Sequence, residues 1–420
     1  MHTPTAVASR PGTVPPEAAG VQSPTRRRSD PDASGDYRGL VERVRAAGLL
    51  RRRPWYYAVK ITLTIAAFIL GWIAFFVVGS SWATLGIAVI LGVMFTQVVF
   101  LGHDAGHQQI SGSRRINRFI GLVVGNALTG LSFGWWVPKH NAHHAYPNQV
   151  GRDPDLGGGL VAFTVGTSID AGRGVFVRLR ARLEVWLFLV VLLLQGLGLH
   201  VTSGQSIYRR RRNRMAMLEG FLLVGNASLY LVAVFSVLSL TKAFAFIAVQ
   251  QGVFGLYLGC SFAPNHKGMA ILDRDARLPF VDRQVITARN VMGGRFTTMV
   301  LGGLNYQIEH HLFPAMPRPN LAKAQGIVQS LCAEKGLPYR QERPIASYRQ
   351  ALRHLQDADA DLGGTSTRRP CDGADGTDRV AVLRLDAVDH SPEPPPHAPP
   401  HAPGPAAGTA NVPEEPVPTA

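Results

Sequence analysis

The chain has 420 residues, 46% of them hydrophobic, and a formal net charge of +15. Length leaves room for two or three domains, but the apolar residues gather in long uninterrupted runs between residues 55 and 265, which argues against a soluble protein and for a membrane one. The positive charge does not indicate nucleic acid, because no interleaved aromatic and basic pattern sits on a foldable module; Arg51, Arg52, Arg53 and the run Arg209 to Arg212 flank apolar segments instead, as topology signals and anionic-lipid contacts do.

In chain order, residues 1–36 are rich in Pro, Ser, Thr, Ala and Arg and lack an apolar period, which predicts a disordered arm without the apolar core of a signal peptide. The run Arg51-Arg52-Arg53-Pro54 abuts the first long apolar stretch and places the N-terminus in the cytoplasm. No residue from Ile61 to Gly102 is charged, so two spans of about 20 residues fit there, turned at Gly79-Ser80-Ser81. His103 then leaves the membrane at the end of the second span. Residues 108–182 are mixed; the glycine-broken piece from Ile120 to Trp136 is expected on the cytoplasmic face, dipping into the interface, where Trp135 and Trp136 suit the depth.

Three apolar runs remain: Val185 to Gly204, Gly220 to Leu240 and Ala243 to Pro264. If all three crossed, the histidine motifs before and after them would face opposite sides, and Arg209 to Arg212 would lie outside, against the positive-inside rule. Val185 to Gly204 is therefore read as a membrane-embedded or interfacial helix anchored by His200, and the other two as a hairpin turned at Thr241 and Lys242. The expected fold is an all-α integral membrane protein of the cell membrane, with four transmembrane helices, interfacial helices and a cytoplasmic histidine-rich cap. Both termini would be cytoplasmic. The domain covers residues 50–345, and residues 360–420, rich in Pro, Ala, Gly and Asp, form a disordered tail.

Seven of the fourteen histidines occupy three five-residue windows: His103-Asp-Ala-Gly-His107, His140-Asn-Ala-His143-His144 and Gln307-Ile-Glu-His310-His311. Residues three and four apart share one helical face, so each window can present converging imidazoles. Imidazole suits Fe, Zn, Cu and Ni, but seven or eight such ligands exceed what one zinc takes, so two metals are the simpler reading. Soluble di-iron bundles rely on Glu and Glu-x-x-His, whereas carboxylates are sparse here. A histidine-rich pair of irons at a membrane surface implies O2 activation against an unactivated C–H bond.

The candidate ligands are His103, His107, His140, His143, His144, His310 and His311. His266, beside Asn265 at a span exit, is added as the eighth. Asp104, Asp153, Asp155 and Glu309 are placed to orient imidazole N–H groups, while Gln307 stands in a ligand's slot and is expected to hydrogen-bond there. His2, His354, His390, His397 and His401 lie in the arm and tails and are assigned no metal. Cys260, Cys332 and Cys371 form no CxxC pair, so no iron-sulfur cluster is encoded and electrons come from another protein. Hydroxylation of a carotenoid or sphingoid lipid is the nearest alternative. A bis-His haem electron carrier would need histidines facing one another inside the bilayer, and a metal transporter would need polar ligands at mid-membrane.

The motifs HDAGH, HNAHH and QIEHH resemble the three histidine boxes of the membrane fatty acid desaturase family. GWWVPKHNAHHAYPN, GRDPDL and QIEHHLFPAMPRPNL are similar to the branch that holds front-end and linoleoyl-CoA-type desaturases together with bacterial acyl-CoA desaturases. The likeness covers about residues 50–345. It implies four spans, a cytoplasmic di-iron cap and a tunnel that kinks the acyl chain beneath the metals. The activity implied is O2-dependent introduction of a cis double bond into a long-chain fatty acyl group, carried on CoA or lipid, with no catalytic side chain beyond the ligands. Many eukaryotic front-end members carry a fused cytochrome b5 domain, and no HPGG-like haem motif occurs here, so the expected donor is a separate ferredoxin or flavin and iron-sulfur oxidoreductase.

Overall fold

The computed structural model describes residues 31–156 and 175–363. A helix, α1 (Pro31–Ala46), precedes a long hairpin of α2 (Pro54–Val78) and α3 (Thr84–Gly106). Residues 1–30 of the expected arm and 364–420 of the expected tail lie outside the described residues. The hairpin turns at Gly79, whose φ of 62° L-residues with a side chain seldom adopt. Next come α4 (Arg114–Gly121), which runs on as a π-helical stretch over Leu122–Leu128, and α5 (Phe133–Ala145), bent from it by 114°. The Ile120 to Trp136 piece thus becomes two arms of a broken helix, turned at Gly130 with φ 66°.

The second half of the bundle is α6 (Val175–Arg209), α7 (Arg214–Val237) and α8 (Leu240–His266). Five helices among the described residues are long and apolar enough to cross a membrane: α2, α3, α7, α8 and the Phe188–Arg209 part of α6. The fold is therefore an all-α membrane architecture, with one more such helix than the four spans expected. The α7–α8 turn falls at Leu238 and Ser239, not at Thr241 and Lys242, because both earlier residues are extended and the helix already begins at Leu240. Lys242 is then free to reach back, with Nζ 2.7 Å from the Ser80 carbonyl in the α2–α3 turn.

Close packing in the bundle depends on missing side chains, as is usual between helices in lipid. A methyl group on Gly255 of α8 would lie 2.5 Å from the Leu192 carbonyl of α6, and one on Gly92 of α3 would lie 2.8 Å from the Gln250 carbonyl of α8. The central helix α8 can therefore press against both neighbours.

The cap is built from α9 (Phe280–Ile286), α10 (Arg295–Val300), α11 (Gln307–Leu312), α12 (Arg318–Lys335) and α13 (Pro344–Gly363), with a short parallel pair of strands, β1 (Asn290–Val291) and β2 (Gln341–Glu342). Its apolar core joins Leu40 and Val44 of α1 to Val285, Ile308, Leu312 and Val328. Polar anchors seat it on the bundle: Gln109, just past α3, donates from Nε2 to the Pro314 carbonyl at 2.7 Å, and the Arg318 N–H of α12 donates to the Tyr57 hydroxyl of α2 at 3.3 Å.

Candidate metal centre

All three windows end on helices that meet at one place. His103 lies in the last turn of α3 and His107 just past its end, α5 carries His140, His143 and His144, α11 carries His310 and His311, and His266 closes α8. All eight are buried. Four of them, His103, His107, His140 and His310, bring a ring nitrogen each within 4.8 Å of one another, and His143, His266 and His311 form a second such group. His144 stands between the groups, stacked on His311 with ring centroids 4.2 Å apart and 4.6 Å from the His107 ring.

The donor set fits metal. Nε2 of His103, His107, His310 and His311 and Nδ1 of His144 are buried without a hydrogen-bond partner. A buried polar atom left so costs about 1–3 kcal/mol, and five in one cluster of imidazoles is the signature of a coordination site. His140 Nε2 and His144 Nε2 are 3.1 Å apart, and His143 Nε2 and His266 Nε2 are 3.4 Å apart. Two nitrogens bound to one metal at about 2.0–2.1 Å stand about 2.8–3.4 Å from each other. Burial, followed by the neighbouring imidazoles, holds His107, His310 and His311 well below the ordinary histidine value, so they are neutral and keep a lone pair to give.

The far nitrogens are held by the protein, which selects the tautomer. Nδ1 of His143 donates to Asp153 at 3.0 Å, with Asp155 at 3.7 Å; Nδ1 of His266 donates to the Thr287 carbonyl at 3.0 Å; and Nδ1 of His311 donates to Gln284 Oε1 at 2.9 Å. Asp104 lies 3.5 Å from His103 Nδ1 but bonds more closely to Arg318, at 2.6 Å, and Arg318 also caps the Phe100 carbonyl of α3 at 3.1 Å. The first window is thereby tied to the helix that follows the third.

One expected orienting residue is corrected. Glu309 reaches no imidazole: its oxygens accept from Asn290 Nδ2 and the Tyr339 hydroxyl, both at 2.7 Å, because its side chain leaves α11 toward the strand pair and away from His310. Gln307 does hydrogen-bond in the ligand slot: its Oε1 accepts from Asn265, and its Nε2 lies 2.9 Å from His266 Nε2, for whose one lone pair the amide and a metal would compete. Trp136, expected at headgroup depth, stacks on His140 with centroids 4.4 Å apart. His200 stays away from the cluster; its Nδ1 donates to the Gly130 carbonyl at 2.9 Å and fastens α6 to the broken helix.

Sequence reasoning missed Gln284, Thr287 and Arg289. Thr287 acts through its backbone carbonyl, its hydroxyl donating to the Arg283 carbonyl instead, so its side chain leaves no trace in the sequence, and Gln284 meets His311 only through the fold. Arg289 is fully buried and all its hydrogen bonds among the described residues go to carbonyl oxygens.

Comparison with known proteins agrees with this geometry. Residues 80–343 match the Fatty acid desaturase family model. The Delta(5) fatty acid desaturase fat-4 of Caenorhabditis elegans is 33% identical over 312 residues, 71% of this chain and 68% of that protein. The Delta(8)-fatty-acid desaturase of Euglena gracilis is 31% identical over 337 residues, 77% of this chain and 78% of that protein. The Acyl-lipid (9-3)-desaturase of Physcomitrium patens is 29% identical over 354 residues, 80% of this chain and 66% of that protein. The chain therefore spans between 66% and 78% of the length of these three relatives. A family match over most of the bundle and cap, on a chain whose boxes converge into two imidazole groups, leaves one conclusion: it belongs to the membrane fatty acid desaturase family and is an oxidoreductase that desaturates fatty acids.

Proposed function

We propose that His103, His107, His140 and His310 hold one iron ion, that His143, His266 and His311 hold a second, and that His144 completes the set between them. The observation that carries this reading is the group of buried imidazole nitrogens without a hydrogen-bond partner. Iron bound there would supply O2 activation strong enough to remove hydrogen from an unactivated methylene. The overall reaction takes two vicinal hydrogens from a long-chain acyl group, leaving a cis double bond, and uses O2, two electrons and two protons to give two waters. The electrons come from a separate donor, a ferredoxin or a flavin and iron-sulfur oxidoreductase.

The protein's own part is to hold and exclude. Asp153, Thr287 and Gln284 fix three rings by their far nitrogens, so the coordinating nitrogens are oriented before iron arrives. The Arg318–Asp104 pair, both side chains buried, locks the end of α3 against the cap. Phe95, Phe254 and Leu101 pack below the cluster and keep water from the acyl side.

Four crossings, by α2, α3, α7 and α8, fit this arrangement, with α6 embedded beside them and the boxes facing the cytoplasm. Two contacts support it. Near the start of its described side chains α6 packs Phe188 and Leu192 against Cys260 and Ala263, close to His266; at its end Arg210 donates to Ser132 Oγ at 3.3 Å, at the start of α5. Phe188, within α6, and Arg210, just past its end, therefore both lie toward the boxes, while Lys242 meets Ser80 at the opposite end of the bundle.

The test is iron and product on the same preparations. Wild-type protein expressed with a compatible reductase should carry two irons per chain and place a new double bond detectable by mass spectrometry. His107→Ala, His310→Ala and His266→Ala should each lose turnover and iron, whereas His200→Ala should keep most of both. Wild-type iron in any of the three ligand variants would refute the assignment of that residue.

A further inference from the structure

One short helix of the cap turns a large apolar face outward. Helix α10 presents Phe296 with 74% of its surface exposed and Met299 with 55%, and Met292 just before it is 43% exposed. Its main chain is fastened to the spans well below the histidines. The Tyr257 hydroxyl of α8 donates to the Val300 carbonyl at 2.6 Å, and Gln97 Nε2 of α3 donates to the Tyr257 oxygen at 2.7 Å and to the Met299 carbonyl at 3.3 Å. Gln97 precedes His103 by six residues, about 9 Å along the helix, and Tyr257 precedes His266 by nine, about 13 Å. An element held at that depth with large apolar side chains facing outward has lipid hydrocarbon as its neighbour.

The surface of α3 points the same way. Val89, Ile90 and Val93 form its exposed stripe, but one turn on Gln97 is half-buried and Phe100 is fully buried. Phe100 is covered by Gly302, just after α10, where a methyl group would come within 2.6 Å of the ring. Along this stripe α10 takes the place of lipid over the last turns of α3 before the metal centre. Glycine pairs bracket it: Gly293 and Gly294 on one side, Gly302 and Gly303 with φ of 63° and 83° on the other. Away from the site α3 and α8 touch directly at Gly92, whereas beside α10 the outer edge of the seam is closed by the Gln97 and Tyr257 hydrogen bonds, over an inner wall of Val98, Leu101 and Leu258.

We propose that α10 sits in the hydrocarbon of the leaflet and is the side door of the site, so that an acyl chain carried on a membrane lipid enters the α3–α8 seam beneath it. This rests on the desaturase reading above and names its substrate class. Opening parts the Gln97 and Tyr257 bonds and lifts the Leu301–Gly302 segment from Phe100 while the glycine pairs swing α10 outward; the histidine helices stay in place.

The test uses the full chain in phosphatidylcholine vesicles. With p-benzoylphenylalanine at position 296, illumination should give a covalent adduct with lipid acyl chains, while the same probe at Gln329, on the exposed face of α12, should not. Phe296→Asp should lower turnover of phosphatidylcholine-borne acyl chains at least tenfold with iron per chain unchanged, and Phe296→Leu should restore it. Absence of a lipid adduct at 296, or full turnover by Phe296→Asp, would overturn the proposal. Wild-type turnover of acyl-CoA but not of lipid-borne chains would overturn it and leave the desaturase reading standing. No desaturation of either by iron-loaded wild type would overturn the enzymatic reading and the door with it.

Discussion

Arg289 offers the sharpest test of how the cap holds the metal centre. Helix α8 ends at His266, and the last carbonyls of a helix have no partner within it. Arg289 supplies partners: Nε donates to the Pro264 carbonyl at 2.5 Å, Nη2 to the carbonyls of Lys267 and Ser347, and Nη1 to Gln350 Oε1. Its backbone N–H takes the Asn265 carbonyl at 3.0 Å. One guanidinium therefore closes the end of α8 and ties it to α13. Burial pushes its pKa down to about 10, so it stays charged at neutral pH. Arg289→Met keeps the apolar stem and strands several buried carbonyls, each worth about 1–3 kcal/mol, against a recovered desolvation cost of several kcal/mol for the charge. The net loss should be about 3–5 kcal/mol. At about 2 °C per kcal/mol for a chain of this size, thermal unfolding in micelles should fall by about 6–10 °C. Because His266 is the residue so held, iron should drop from two toward one per chain, and Arg289→Lys, which can reach fewer carbonyls, should fall between. Wild-type stability and iron in Arg289→Met would refute the clamp.

Two further outcomes are expected. Cysteines placed singly near Arg210 and near Ser80 should react from opposite sides of the membrane, and reaction from the same side would rule out the four-crossing arrangement. Glu219, buried in α7, accepts from Ser132 Oγ at 2.5 Å and from the Gly134 N–H at 3.2 Å, holding the first turn of the helix that carries the second box. Glu219→Ala should cost about 1–3 kcal/mol and lower iron occupancy, with Glu219→Gln recovering most of both; wild-type stability and iron in Glu219→Ala would show that the carboxylate positions nothing.

Much of the site was legible because its chemistry is local in sequence. A helix places residues three and four apart together, so His140, His143 and His144 announce a shared face without knowledge of the fold, and uncharged runs announce spans. His266 was found by a different route, its position at a span exit, and it indeed lies 3.4 Å from His143 across the cluster. What holds the histidines was largely hidden. Asp153 could be guessed from its nearness to the second box, but Gln284 and the Thr287 carbonyl meet His311 and His266 only after a long-range fold, and a carbonyl carries no sequence signature at all.

Glu309 shows the opposite failure. Adjacent to His310, it looked like an orienting carboxylate, yet consecutive residues on a helix point about 100° apart, and Asn290 and Tyr339 claim it instead. The same reasoning explains α10. Its stretch from Gly293 to Gly303 is short, carries Arg295, Thr297 and Thr298 and is bounded by glycine pairs, so no window of span length could flag it as membrane-facing. Its depth is set by Gln97 and Tyr257, two polar residues inside spans, whose side chains found partners in the cap. Polar groups within apolar helices seek hydrogen bonds because the bilayer offers none. An isolated Gln or Tyr in an otherwise apolar run is therefore a pointer to where another segment must come down to meet it.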